Sequence, residues 1–292
     1  MTAQYSWPDN ARLALSVVVN VEEGSEYNVK DGDAGMEPVD ELQVHVKKPI
    51  RNYGNESNYQ YGLNEGAERI IRLLDQYQIR ASWSAAAVSL ERAPWLAQEI
   101  RRRGDETCAH GYRWVHQFRM NEQQEREFIR AAVSSIESST GKRPLGWLSR
   151  YLYTENTRRL LQQEGFLYHM DDYSADAPFW AAVNGSEQPM IILPYAIDTN
   201  DMKMWVAASY TPEQWLKYAK NSFDVLYSEG EHKPRMMSLG LHLRIIGRPG
   251  RIWALEEFFR YVRSKPGVWC ASREQIASHF QAQVPASAGV SA

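Results

Sequence analysis

Short apolar runs rich in β-forming residues alternate along the chain with longer segments whose hydrophobic residues recur at helical spacing. This alternation is typical of parallel β-α units rather than of hairpins. The predicted strands cover residues 13–21, 81–88, 106–110, 145–149, 166–171, 190–195, 235–243 and 268–271. The predicted helices cover residues 65–76, 94–103, 122–139, 157–164, 212–228, 251–264 and 273–280.

Local signals support several of these helix boundaries. Asn121 with Gln124, and Thr211 with Gln214, fit capping boxes, in which two residues exchange side-chain and backbone hydrogen bonds. Glycines stand where four helices are expected to end, namely Gly104, Gly141, Gly165 and Gly230. The pattern predicts an α/β protein, a distorted TIM-like (β/α) barrel that residues 1–292 form as a single domain, with a disordered tail at 282–292.

One segment interrupts the alternation. Residues 24–63 are rich in Gly, Asn and Asp and show little periodicity. Connections of this length within a compact domain are usually lids or binding loops. A packing arm that covers the mouth of the barrel or a neighbouring subunit is an equal alternative.

Composition narrows the classes of partner. A net charge of −3 and a pI near 6.2 leave no basic field for nucleic acid or for an anionic membrane. The apolar run 13–21 is too short to span a bilayer, and the start of the chain lacks the cationic region of a signal peptide. The cysteine content, Cys108 and Cys270, argues against a disulfide framework, so we expect a cytoplasmic protein.

Polar residues close most of the predicted strands. These residues are Glu22, Glu23, His110, Arg150, Asp171, Asp172 and His242. A single histidine at a strand end is more often a hydrogen-bonded structural residue than a catalyst. In a β/α barrel, however, the carboxyl ends of all strands meet on one face, so the placement of the whole set predicts one active site.

The adjacent carboxylates Glu22 and Glu23 cannot both stay ionised and unpaired at low cost, so one of them is a candidate general base. The alternative is a structural role in which these carboxylates form an ion pair with Arg150 or Arg113. His242 lies within an apolar run, and its proton affinity near neutrality suits a general acid for a leaving nitrogen.

These residues resemble the ordered motifs of the polysaccharide deacetylase superfamily. The matching segments are Glu22-Glu23 after the first strand, His110-Gly-Tyr-Arg-Trp114 after the third, Arg150 after the fourth and Leu239-Gly-Leu-His242 near the end. Within the superfamily, the chain is similar to metal-independent allantoinases and cyclic imide hydrolases. This similarity extends over nearly the whole chain, including Trp7-Pro8, Asn55-Glu-Ser57 and 198–202. It implies the barrel of the polysaccharide deacetylase type.

In the deacetylases that the chain resembles, the motifs supply a base, a metal-binding carboxylate and two histidine ligands four positions apart. The corresponding residues here are Glu22, Glu23, His110 and Trp114. An indole does not coordinate a divalent cation, and His116 falls outside the ligand spacing. The remaining groups are fewer than the three protein ligands that catalytic zinc generally uses, so we predict no metal and no other cofactor.

Without a Lewis acid, the substrate must be activated, as cyclic imides and hydantoin-like rings are. The resemblance implies that Glu22 deprotonates water and His242 protonates the leaving nitrogen. His110, the Trp114 indole or nearby backbone N–H groups would hold the oxyanion, and Glu23 would orient the water or the imide N–H.

The motif at 146–153 replaces polar residues expected of an allantoinase with Leu148, Tyr151, Leu152 and Tyr153, which favours an imidase over an allantoinase. Further substrate contacts implied by the resemblance are Asn55, Glu56, Asp172, Tyr173 and Asn200. The other readings are a polysaccharide or N-acetyl deacetylase and an inactive binding module. The expected partners are a small cyclic imide or hydantoin-like substrate and further copies of the chain in a homo-oligomer, with no nucleic acid and no membrane.

Overall fold

The computed structural model describes residues 5–41, 43–44, 46, 48–195, 197–206, 209–286 and 290–291. The strands are β1 (Leu13–Val21), β2 (Ala81–Ala85), β3 (Glu106–Ala109), β4 (Gly146–Trp147), β5 (Tyr168–His169), β6 (Phe179–Ala181), β7 (Met190–Ile192), β8 (Arg235–His242), β9 (Val268–Cys270) and β10 (Val290–Ser291). The α-helices are α1 (Tyr53–Tyr61), α2 (Ala67–Gln76), α3 (Ala87–Arg92), α4 (Pro94–Arg103), α5 (Glu122–Thr140), α6 (Thr157–Gln163), α7 (Pro212–Glu229), α8 (Pro249–Arg263) and α9 (Arg273–Gln283).

The strands form one curled sheet in the order β10-β6-β7-β5-β4-β3-β2-β1-β8, and β9 also pairs with β1. All pairs are parallel except β6 with β7. On the far side of β8, the ladder continues only as an isolated parallel bridge between Asn200 and Gly240. The α/β barrel predicted from the sequence is confirmed, and its sheet is open between the edge strands β10 and β8.

Strand β1 is the centre of the fold. All nine of its residues are buried, because it has neighbours on both edges, helices outside and side chains filling the barrel inside. Its outward residues pack with α2, α4, α7 and α8 in the larger apolar cluster, which includes Leu15, Trp83, Phe223 and Phe258. Burial of each such side chain contributes about 1.5–3 kcal/mol.

Several predicted boundaries differ from the structure by one to three residues, and two differences change the type of element. The strand predicted at 81–88 ends at Ala85, because the chain turns there into the short helix α3. The segment predicted as a loop at 24–63 contains α1, and a π-helical turn at Gly62–Gly66 joins α1 to α2. Asn52 caps α1 by accepting a hydrogen bond from the backbone N–H of Asn55, but the weak apolar pattern of the helix hides it from periodicity.

The end of the chain is more ordered than predicted. Helix α9 continues to Gln283, inside the segment 282–292 for which we predicted a disordered tail. Val284 is buried, and its carbonyl accepts the indole N–H of Trp180 at 3.0 Å. Residues 290–291 pair with β6, whereas the rest of the predicted tail beyond residue 286 lies outside the described residues.

Both predicted capping boxes are present, at Asn121 and Thr211. Gly230 ends its helix for a different reason from the one predicted, because it has φ −62° instead of a left-handed conformation. A Cβ atom at Gly230 would lie 2.0 Å from the carbonyl oxygen of Arg12, so close backbone approach requires glycine here. None of the helices in the described ranges is long and apolar enough to cross a membrane.

Candidate active site

Three strands bring the central groups together at their carboxyl ends. Glu22 follows β1, His110 follows β3, and His242 ends β8. Glu22 Oε1 lies 3.5 Å from His110 Nε2 and 3.4 Å from His242 Nε2, and all three side chains are buried. The predicted convergence of Glu22 with both histidines is present in the structure.

These groups line a small cleft with about 350 Å³ of empty space, part of which is open to solvent. The predicted residues that line it are Glu22, His110, Trp114, Arg150, Tyr173, Asn200 and His242. The remaining lining residues are Asn20, Leu148, Ser149, Tyr151, Tyr195 and Met202. Tyr151 has φ 58°, and strained backbone of this kind often occurs at functional sites.

His242 is held by Asp201, which the sequence did not single out. His242 Nδ1 lies 2.6 Å from Asp201 Oδ1, and the backbone N–H of His242 donates to Asp201 Oδ2 at 2.7 Å. Burial alone lowers the pKa of His242, but the charges of Asp201 and Glu22 outweigh burial and raise it to about 9. The imidazole is therefore protonated at neutral pH, above the near-neutral affinity predicted for it.

A buried arginine, Arg244, faces both carboxylates. Its Nη2 lies 2.9 Å from Glu22 Oε2, and its Nη1 lies 3.4 Å from Glu23 Oε1. Burial alone raises the pKa of Glu22, but Arg244 and His242 outweigh burial and hold that pKa well below its ordinary value. Glu22 is therefore an ionised carboxylate paired with two cations.

Glu23 lies behind this pair and does not line the cleft. It is completely buried, and its Oε2 accepts the backbone N–H of Glu22 at 2.9 Å. Burial raises the pKa of Glu23, with the charge of Glu22 adding to the effect and Arg244 opposing it. A Cβ atom at Gly62 would lie 2.5 Å from Glu23 Oε1, so glycine leaves room for this carboxylate. The predicted role of Glu23 at the water or at the imide N–H does not match this position.

The hydrogen bonds of His110 decide its chemical role. Its Nδ1 lies 2.7 Å from the carbonyl oxygen of Leu148, which only accepts, so Nδ1 carries the proton. Its Nε2 accepts the indole N–H of Trp114 at 3.1 Å. Neither ring has a free N–H for an oxyanion, so the predicted oxyanion donors His110 and Trp114 are both already engaged.

The same contacts test the divalent metal that the resemblance implies for deacetylases. The His110 lone pair is taken by Trp114, Glu23 is paired with Arg244, and His116 Nδ1 lies 3.2 Å from the carbonyl oxygen of Arg150. In the described part of the chain, no group of three or more His, Cys, Asp or Glu side chains is arranged to hold a metal ion. The donor set does not fit a catalytic divalent metal.

Arg150 has a different partner from the one considered in the sequence. Its guanidinium makes a bidentate pair with Glu37 at 2.9 and 2.5 Å and donates to the carbonyl oxygen of Trp114 at 2.7 Å. Its Cζ lies 3.7 Å from the centre of the Trp114 ring. Arg113 pairs with Asp33. The alternative in which Arg150 or Arg113 neutralises the carboxylate pair is therefore wrong, because Arg244 does so.

Three predicted contact residues lie away from the cleft. Asn55 and Glu56 line a separate pocket beside the segment 24–63, and Glu56 pairs with Arg51 at 2.5 Å. Asp172 pairs with Arg158 at 3.4 Å. Asp171, a strand-end carboxylate, accepts the backbone N–H of Ser149 at 2.7 Å and so fixes the loop after β4.

The residues missed in the sequence had weak signals. Asn20 stands two positions before Glu22, so the period of strand β1 places it near the site, whereas Arg244 lies in the turn after β8, where that period does not apply. Tyr195 ends the strand predicted at 190–195, and Asp201 lies in the matched segment 198–202. In the structure both residues follow β7, and the connection from β7 to β8 brings them to the site.

The fold and the site define a β/α-barrel protein with acid and base groups at the carboxyl ends of its strands. Residues 57–169 match the sequence profile of the family described as polysaccharide deacetylase. A protein of Schizosaccharomyces pombe that carries the name polysaccharide deacetylase is 33% identical over 96% of this chain and 93% of its own length. The chain belongs to the polysaccharide deacetylase family.

Two solved structures are similar over almost the whole chain. PuuE allantoinase is 40% identical, with a TM-score of 0.91 over 96% of this chain and 93% of the allantoinase. A probable polysaccharide deacetylase from Pseudomonas aeruginosa is also 40% identical, with a TM-score of 0.90 over 96% of this chain and 94% of its own. The similarity therefore includes both an allantoinase and a protein named for deacetylation.

Proposed function

We propose that this protein hydrolyses one C–N bond of small cyclic imides to give half-amides, by general acid/base catalysis without a metal. The observation that carries the proposal is the position of Glu22, an ionised carboxylate 3.4 Å from the Nε2 of a protonated His242, on the wall of a small cleft. A base and an acid with opposite charges at one site are what amide hydrolysis requires.

The proposed reaction uses one water molecule. Glu22 takes a proton from the water, and the water oxygen bonds to a ring carbonyl carbon. The C–N bond of the tetrahedral adduct then breaks, and the nitrogen takes the Nε2 proton of His242. The products are a carboxylic acid and a primary amide on one chain. Glu22 is left protonated beside a neutral His242, and a single proton transfer between these neighbours restores the site.

The low pKa makes Glu22 a weak base in the free protein, and its coupling to His242 offsets this. The imidazolium charge is one of the causes that lower the pKa of Glu22. As His242 passes its proton to the nitrogen, that positive charge disappears and the proton affinity of Glu22 rises. Base strength therefore increases in the step that needs it.

An imide is reactive enough to be hydrolysed by acid and base groups without a Lewis acid. Its nitrogen leaves as an amide stabilised by the second carbonyl, so the reaction does not depend on the several kcal/mol, in rough terms, that a Lewis acid supplies. The lack of fit to a divalent metal supports this choice of substrate. An unactivated acetamide on a sugar is less compatible with the same groups.

The cleft wall supports an imide over the ureido-bearing allantoin. Leu148 and Tyr151 line the cleft, as the imidase reading requires, whereas Leu152 and Tyr153 are not among the lining residues. Both N–H groups of the Asn20 amide are used, by the hydroxyl of Tyr195 at 2.9 Å and the carbonyl oxygen of Leu241 at 3.1 Å. Neither N–H group of Asn20 therefore remains for a ureido arm.

Allantoin hydrolysis is the second candidate, favoured by the 40% identity to PuuE allantoinase. A panel of succinimide, glutarimide, hydantoin, allantoin and an N-acetylglucosamine oligomer separates the candidates, each followed with and without chelator. We expect the imides to open fastest, at a rate that the chelator does not change. Faster opening of allantoin would select the second candidate, release of acetate would select deacetylation, and loss of activity with chelator would contradict the metal-free mechanism.

A further inference from the structure

The hydroxyl of Tyr195 lies at the floor of the candidate cleft, with two amides aimed at it. Asn20 Nδ2 donates to the hydroxyl at 2.9 Å and Asn200 Nδ2 at 3.0 Å. All three residues line the cleft, and Tyr195 is only 5% exposed. The phenol is therefore held in a fixed polar cradle next to the reacting groups.

The orientation of each amide is set by a backbone partner. Asn20 also donates to the carbonyl oxygen of Leu241, so its nitrogen must face that way. Asn200 accepts the backbone N–H of Met202 through Oδ1 at 2.9 Å, which leaves its nitrogen for Tyr195. Both amides consequently give hydrogens to the phenol oxygen and neither can accept its proton.

The Tyr195 hydroxyl thus has both lone pairs filled and one proton left to donate. Across the described ranges, the hydroxyl makes no hydrogen bond in which it is the donor. The backbone of Gly240 closes one side of the hydroxyl, because a Cβ atom there would lie 2.2 Å from this oxygen. The open direction is the cleft.

We propose that Tyr195 is a further catalytic residue, whose hydroxyl donates a hydrogen bond to a carbonyl oxygen of the bound imide. The inference rests on the proposed function. It takes the oxyanion-donor role predicted for His110 and Trp114, because the His110 N–H is engaged with the carbonyl oxygen of Leu148 and the indole N–H of Trp114 with His110 Nε2. A prepositioned donor of this type stabilises the negative charge that develops on a carbonyl oxygen.

Tyr195→Phe removes only the hydroxyl, and we expect kcat/KM for succinimide to fall by about 100-fold, as on loss of one oxyanion donor. A purely structural effect would lower all rates equally, so dithiosuccinimide is measured as well, because its sulfur is a poor acceptor. The preference for oxygen over sulfur should shrink at least about tenfold in the variant. Equal losses with both substrates, or no loss, would overturn the proposal.

Asn200→Asp is a second variant that keeps the phenol ring. An aspartate accepts the Tyr195 proton and still accepts the Met202 N–H, so it should reproduce the reduced oxygen preference. Tyr227→Phe is the matched control, since its hydroxyl bonds the carbonyl oxygen of Pro266 outside the cleft, and its kinetics should be unchanged. Unaltered oxygen preference in a folded Asn200→Asp protein would contradict the proposal even if Tyr195→Phe does not fold.

Failure of the proposed function gives a distinct result. If the wild-type protein opens neither imide, the reaction assigned above is wrong, and calorimetric binding of succinimide then tests Tyr195 by itself. Weaker binding to Tyr195→Phe than to the wild type supports the hydrogen bond. Equal binding, or no binding to either protein, overturns it.

Discussion

Two buried arginines flank the cleft and perform different tasks. Arg150 meets Glu37 in a one-to-one bidentate pair and lies over the Trp114 ring. Arg244 instead faces Glu22 and Glu23 together, so that one positive charge serves two carboxylates. The first pair is complete and fixes the segment 24–63 to the barrel. In the second, the imidazolium of His242, which is itself paired with Asp201, brings a further positive charge beside Glu22.

The difference teaches that burial and residue type do not by themselves identify a functional ion pair. Both arginines are 2% exposed. What distinguishes Arg244 is that its partner Glu22 also contacts two imidazoles and lines the cleft. Substitutions on the two sides should therefore change different observables.

The largest effect is expected at Glu22, which contacts both Arg244 and the imidazolium of His242. Glu22→Gln keeps the shape but removes the base, so turnover of succinimide should fall by about 10²–10⁴-fold while substrate binding survives. Stopped-flow turnover and calorimetric binding check both parts. Glu213→Gln, at an exposed position in the first turn of α7, is the control. Normal turnover by Glu22→Gln would remove Glu22 from the role of base.

On the other side, Arg150→Met leaves the buried Glu37 carboxylate without its cation, although the backbone N–H groups of Tyr27 and Val39 still donate to it. We expect a loss of about 3–5 kcal/mol in the free energy of unfolding, measured by urea denaturation. The acidic limb of the kcat/KM profile should move less than in an Arg244 variant, because the direct contacts of Arg150 are with Glu37 and Trp114 and it acts on Glu22 through its charge alone. A shifted limb with normal stability would mean that the two arginines have exchanged the tasks assigned here.

Arg244→Met should act on that acidic limb. Without the guanidinium, the pKa of Glu22 rises, so the limb moves to higher pH, by about 1–3 units. Arg244→Lys keeps a positive charge and should restore part of the shift, which a merely structural role would not predict. If kcat/KM falls by the same factor at every pH, so that the acidic limb stays in place, the electrostatic role of Arg244 is contradicted.

Whether a residue of this site could be predicted from the sequence depends on where it lies in the fold. Glu22, His110 and His242 end strands with clear apolar runs, so barrel geometry alone predicts their meeting. Arg244 and Asp201 lie just beyond such runs, and only three-dimensional contacts show that the first neutralises Glu22 and the second holds His242. The partner of Arg150 could not be predicted either, because Glu37 lies in a segment without periodicity.

The same reasoning applies to the fold. Strand β1 and helix α4 have the predicted bounds, since each has a long apolar pattern and definite end signals. Strand β6, three residues long, and helix α1 were missed, because neither has a period that a sequence window detects. The ordered end of the chain depends on the contact of Val284 with Trp180, which is invisible before folding.

The smallest expected effect concerns the acid. The reaction needs His242 protonated, so kcat/KM should decline as pH rises through about 9. Asp201→Asn removes a charge that raises this pKa, so the alkaline limb should move to lower pH, with little change at pH values below the new limb. An unmoved alkaline limb in the variant would show that another group is the acid.

Stability provides a check on the same pKa that does not depend on activity. The pKa of His242 is about 9 when folded, above its ordinary value of 6.5. Its contribution to stability is therefore fully present below pH 6.5 and is lost as pH rises through about 9. Urea midpoints at the two ends of this range should differ more for the wild type than for Asp201→Asn. Equal differences in the two proteins would place the raised pKa elsewhere and leave Asp201 with a purely structural contact.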